Sequence, residues 1–150
     1  MQPLHRVRAA LTDGEWRYPL LAGLLSGGTV AAQYWQSPAP AEPVDATAVF
    51  LAGLLGGALF HGTGASTRVG LRTGLVAGVA AIPAFSTHDI FAYIAGLSQP
   101  AWFTAVQAVA VVVILAVLVC LLGLVGALGA KVGDWLAAKT GPERPVSTAD

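Results

Sequence analysis

The sequence predicts an all-α integral membrane protein with four transmembrane helices and a short interfacial or re-entrant helix between the third and fourth. Three observations carry that expectation. The chain is 55% hydrophobic and 11% charged, with a mean hydropathy of +0.69, whereas soluble chains are about a quarter charged. Glycines recur four apart inside apolar runs, most clearly at Gly70, Gly74 and Gly78. A soluble helix loses about 1 kcal/mol for each glycine that replaces alanine. In a bilayer, small residues at this spacing let two backbones approach and pack. Lastly, the basic residues gather at every second boundary between apolar runs.

Residues 1–17 form a polar N-terminal segment, with His5, Arg6, Arg8 and Arg17 against Asp13 and Glu15. The first span runs from Tyr18 to about Trp35 and carries the small row Gly23, Gly27, Ala31. Trp16 and Trp35 bracket it, about 28 Å apart along a helix, which is near a hydrocarbon thickness. A signal peptide cleaved after Val30-Ala31-Ala32 competes with this reading, but the long leader with its two acids argues against it. The connector from Gln36 to Pro43 holds Pro38, Pro40 and Pro43, which remove donors and exclude regular structure.

The second span, about Asp45 to His61, places Gly53, Gly57 and His61 on one row. The link 62–67 is short enough to make the second and third spans an antiparallel hairpin. Its Ser66 or Thr67 can cap the following helix. The expected core is the contact of Gly53 and Gly57 with Gly70, Gly74 and Gly78. The third span covers Val69 to about Phe85 and ends near Pro83. Ser86 followed by Asp89 resembles a capping box, opening the short apolar helix Ile90–Leu97. The last span runs from Trp102 to about Ala130, with an amphipathic exit at Lys131–Lys139 and a flexible cytoplasmic tail at 140–150. The transmembrane domain is thus 18–139.

Orientation follows from the cations. Arg6, Arg8 and Arg17 precede the first span, Arg68 and Arg72 sit at the second turn, and Lys131, Lys139 and Arg144 follow the fourth. The connectors 36–45 and 86–101 contain none. The positive-inside bias therefore puts both termini in the cytoplasm, with the protein in the plasma membrane.

Little in the chain suggests chemistry. The polar side chains within the spans are Ser26, Thr29, Gln33, Thr73 and Gln107, and no acid lies at mid-membrane depth, where ion-coupled carriers keep one. Ser26 and Thr29 read as hydroxyls bonded back to their own helix. Cys120 is the only cysteine and reads as a buried, inert thiol. His61 is expected to make an interfacial or interhelical hydrogen bond, and Asp89 to cap a helix. No catalytic residue, metal site or cofactor is expected. The turn Gly62, Gly64, Arg68, Arg72 combines glycines, a helix N-terminus and two arginines, which fits an anionic lipid headgroup. A formal net charge of zero gives no reason to expect nucleic acid.

Phe50–Gly57, Arg68–Gly78 and Gly123–Lys139 together resemble a family of small, glycine-rich haloarchaeal membrane proteins of unknown function, over Phe50–Lys139. Six Arg against two Lys suits a GC-rich genome. The resemblance implies no catalytic residue. The expected function is a non-enzymatic structural or assembly protein whose helices pack through Gly23, Gly27, Gly53, Gly57, Gly70, Gly74 and Gly78. Its expected partners are membrane lipids and a second copy or a larger membrane complex. The alternative is an oligomeric passive channel, which would need a polar-lined path from Thr73, Gln107 and Gln33.

Overall fold

The computed structural model describes residues 14–36, 45–62, 64–87, 96 and 99–140. Among the described residues there are four helices: α1 (Gly14–Gln36), α2 (Thr47–Leu59), α3 (Ser66–Thr87) and α4 (Ala101–Thr140). The expected short helix at Ile90–Leu97 lies outside the described residues apart from Gly96, as do residues 1–13 and the tail beyond Thr140.

The chain runs up, down, up and down. Gly53 and Gly57 of α2 meet Gly126 and Ala130 of α4 in the same sequence order, so these two helices are parallel. Gly70, Gly74 and Gly78 of α3 meet Gly126, Leu122 and Val119 in descending order, so α3 is antiparallel to α4. Gly23 and Gly27 of α1 meet Thr73 and Ala77 of α3, which makes α1 parallel to α3. Helix α3 therefore lies between α1 and α4, while α2 packs across α3 and α4 and touches α1 through Tyr18. The glycine rows of α2 and α3, expected to face each other, both come down on α4 instead. The apolar core gathers Val30, Val49, Ala77, Ala81 and Leu122, with Leu115, Leu118 and Val125 half-buried against it.

The expectation of four transmembrane helices does not hold. Among the described residues only α4 is long and apolar enough to cross a membrane. With 13 residues, α2 is about 20 Å long, well short of a hydrocarbon core of about 30 Å. Helices α1 and α3 have 23 and 22 residues, so length is not what disqualifies them. Their apolarity is diluted by the small and polar residues that let them pack: Ser26, Gly27, Gly28 and Thr29 in α1, and Gly70, Arg72, Thr73 and Gly74 in α3. A glycine row that brings backbones together supplies no hydrophobic side chain to a bilayer.

Local chemistry sets the helix ends. Phe60 donates its backbone N–H to the Gly56 carbonyl at 3.0 Å and closes α2. The chain then turns through Gly62 and Gly64, at φ +75° and +70°, a region that costs a residue with a Cβ about 1 kcal/mol or more. Asp45 Oδ1 accepts from the Thr47 N–H at 2.8 Å at the start of α2. Pro83 does not end α3, which continues through Ser86 to Thr87. The expected last span and its amphipathic exit are one helix of 40 residues, about 60 Å long.

Candidate functional site: the glycine seam of α4 and the basic end of the bundle

The densest contact is the line where three helices meet on α4. A methyl group built on Gly53 would fall on the carbonyl of Gly126, and one built on Gly57 would fall on that of Ala130. From the other side, a methyl on Gly70 would strike the same Gly126 carbonyl and the Ala130 methyl. Gly126 and Ala130 thus form the junction at which α2 and α3 both touch α4. Higher up, a methyl on Gly74 would meet the Leu122 carbonyl and lie 2.8 Å from Gly123 Cα, and one on Gly78 would lie 2.9 Å from Val119 Cα. Lower down, Gly129 and Gly133 of α4 press on the carbonyls of Phe50 and Leu54 of α2.

On the far face of α3, a methyl on Gly23 would lie 2.7 Å from the Thr73 carbonyl oxygen, and one on Gly27 would lie 2.8 Å from Ala80 Cβ. Gly56 accommodates the Tyr18 ring. The phenol donates to the Ala52 carbonyl at 2.5 Å, and burial pushes its pKa above the ordinary 10.0.

Sequence reasoning missed the α4 half of this seam, Gly123, Gly126, Gly129 and Gly133, and with it Asp134. The signal was present as small residues recurring three or four apart, but the surrounding leucines and valines mark that stretch as generic apolar helix.

The polar side chains are mostly engaged locally. Ser26 Oγ donates to the Ala22 carbonyl at 2.7 Å, Thr29 Oγ1 to that of Ser26 at 2.7 Å, and Thr73 Oγ1 to that of Val69 at 2.9 Å. His61 reaches across helices, its Nδ1 lying 2.6 Å from Asp134 Oδ1. The carboxylate accepts from the imidazole N–H and ties the end of α2 to α4. Cys120, expected to be buried, is exposed on α4, because that face of the helix has no helical neighbour among the described residues. Asp89, expected to cap a helix, lies outside them. No group of three or more His, Cys, Asp or Glu side chains that could hold a metal occurs among the described residues.

The alternating topology collects the described cations at one end of the bundle. Arg17 lies near the start of α1, Arg68 and Arg72 in the first two turns of α3, and Lys131 and Lys139 toward the end of α4. Of the four residues expected to contact an anionic lipid, Gly62, Gly64 and Arg68 are exposed. Arg72 is half-buried, its guanidinium 4.3 Å from the centre of the Trp16 ring. Lys139 stands in the same relation to Trp135, at 4.3 Å. Arg72 also ends an open apolar groove of about 390 Å³ between α1 and α3, whose walls include Leu20, Leu24, Val76 and Val79.

The upper half of α4 contrasts with the seam. Trp102, Val106, Val109, Val113 and Ile114 are all more than half exposed. In the most apolar 18-residue window of α4, only 11% is buried. Exposing one such side chain to water forgoes about 1.5–3 kcal/mol, so this surface is more stable against an apolar environment than in water.

Together these features define a small all-α protein, sealed by glycines along one long helix and carrying, among the described residues, a single candidate membrane span. The chain belongs to a family of unknown function, DUF5518, whose model matches residues 16–136. Neither the curated proteins nor the solved structures yield a match.

Proposed function

We propose that the chain is a non-catalytic structural or assembly protein of the plasma membrane, held by α4 and rigidified along the glycine seam, that works beside a second copy or a larger membrane partner. The observation that carries this reading is the exposure of α4. A core helix of a soluble protein is mostly buried, yet the most apolar window of α4 is 11% buried. The clustering of Arg17, Arg68, Arg72, Lys131 and Lys139 at one end supports placing that end, with the start of α1 and the end of α4, in the cytoplasm. The seam serves rigidity, since backbones in contact leave no room for sliding. A haloarchaeal source is the accompanying proposal, from the glycine-rich resemblance and the preference for Arg over Lys. The passive-channel reading loses support because Thr73, one of three side chains offered for a polar path, is fully buried and bonded to its own helix.

The test is accessibility at the two ends of α4. In a Cys120→Ala background, Ala101→Cys is expected to react with an impermeant maleimide on intact cells, and Thr140→Cys only after permeabilisation. Equal labelling of both positions on intact cells would refute the membrane reading. Native mass spectrometry in lipid nanodiscs then tests assembly: a dimer or larger species, or a co-purifying membrane subunit, is expected, and a bare monomer refutes the assembly role.

A further inference from the structure

We infer that the groove between α1 and α3 is a site for one acyl chain of an anionic phospholipid, with the lipid phosphate held by Arg72. The inference rests on the membrane reading above and adds to it a particular ligand position. The groove runs about 12 Å along each helix, from Trp16 to Leu24 of α1 and from Arg72 to Ala80 of α3, and apart from Arg72 its walls are apolar. Its volume of about 390 Å³ falls within the range of roughly 300–1,000 Å³ typical of small-ligand sites. Leu24 is 56% and Val79 58% exposed, so the walls offer apolar surface with no covering side chain among the described residues.

Charge selects the occupant. Arg72, the one cation on the groove wall among the described residues, stands at one end, at the basic end of the bundle, with Trp16 beside it. The indole 4.3 Å from the guanidinium carbon limits where that charge can go, and an aromatic beside a cation is the pairing found at the headgroup level of membranes. A guanidinium carries five N–H donors in a planar fork, and the fork matches two phosphate oxygens. Arg68, one turn earlier and exposed, adds a second positive charge on that side. An apolar slot with a cation at the level of the cytoplasmic headgroups suits a phospholipid whose tail lies along the slot. A free phosphate would leave the slot empty, and a zwitterionic lipid would bring an ammonium group toward Arg68 and Arg72.

The experiment uses the full chain in nanodiscs containing equal amounts of phosphatidylglycerol and phosphatidylcholine, released into mild detergent for native mass spectrometry. The wild type is expected to retain one phosphatidylglycerol in preference to phosphatidylcholine, unchanged by added inorganic phosphate. Arg72→Gln should reduce that preference at least about tenfold, the loss expected of one charge-assisted hydrogen bond. Val79→Trp and Leu24→Trp, each filling the slot from an exposed position, should abolish the retained lipid while circular dichroism still reports a folded protein. Phosphatidylglycerol retained equally by wild type, Arg72→Gln and a folded slot-filling variant would overturn the inference. So would displacement of the retained species by inorganic phosphate. Flotation with vesicles separates the two failures: a wild type that floats but retains no lipid refutes the groove alone, and one that does not float refutes the membrane reading as well.

Discussion

Gly74→Ala and Gly28→Ala make a pair in which the same chemical change has opposite consequences. At Gly28 a new methyl group has nothing within 4 Å, so only helix propensity acts. Alanine is favoured over glycine there by about 0.8–1 kcal/mol. At Gly74 the methyl would meet the Leu122 carbonyl oxygen and lie 2.8 Å from Gly123 Cα. Both obstacles belong to the α4 backbone and cannot rotate away, so α3 must move off α4 along its length. Overpacking of this kind costs about 1–3 kcal/mol, of which the propensity gain returns about 1. Gly74→Ala should therefore be neutral to destabilising by about 2 kcal/mol, while Gly28→Ala stabilises. Subtracting one variant from the other cancels the propensity and leaves the contact, about 1–3 kcal/mol. For a chain of this size that corresponds to a Tm gap of about 2–12 °C. Thermal unfolding of both variants in one detergent measures it. Equal Tm values for the two would refute the claim that backbone contact at the seam holds the bundle together.

Three further outcomes follow from the geometry. Tyr18→Phe removes the hydrogen bond to the Ala52 carbonyl but leaves the ring against Gly56, so it should cost about 0.5–1.5 kcal/mol in denaturant unfolding. His61→Ala and Asp134→Ala should show a coupling of no more than about 1 kcal/mol in a double-mutant cycle, because both side chains are more than a third exposed and solvent screens them. A coupling of about 3 kcal/mol or more would contradict this, as would one insensitive to salt. The Thr47 side chain and, after it, the Thr47 backbone N–H hold the Asp45 carboxyl below its ordinary 3.8. A carboxyl with a lowered pKa in the folded state contributes stability above its unfolded pKa and loses it as pH falls through the folded value. Asp45→Asn should therefore flatten the decline of Tm below about pH 4, and a decline identical to wild type would show that Asp45 plays no part in it.

The helices themselves could be read from local chemistry. Apolar runs, the prolines of 38–43 and the glycines at 62 and 64 are properties of neighbours in sequence, and they placed α1, α2, α3 and α4 to within a few residues at most ends. The hydroxyls of Ser26 and Thr29 bond within their own helix, so their role too was local. What the tertiary structure decided is which surfaces meet. Gly53, Gly57, Gly70, Gly74 and Gly78 look alike as rows, and a row of small residues specifies close approach without specifying a partner. Only the fold shows that both rows converge on Gly126 and Ala130 of α4 rather than on each other. The same holds for His61, whose partner Asp134 is 73 residues away, and for Arg72, which Trp16 reaches because α1 and α3 run parallel. The number of spans was misjudged for a related reason. Composition averages over the chain, and the strongly apolar α4, with the apolar but short α2, raised the average for α1 and α3, whose glycines and polar side chains serve packing instead. Close backbone approach and high apolarity compete for the same positions, and α1 and α3 have given those positions to glycine.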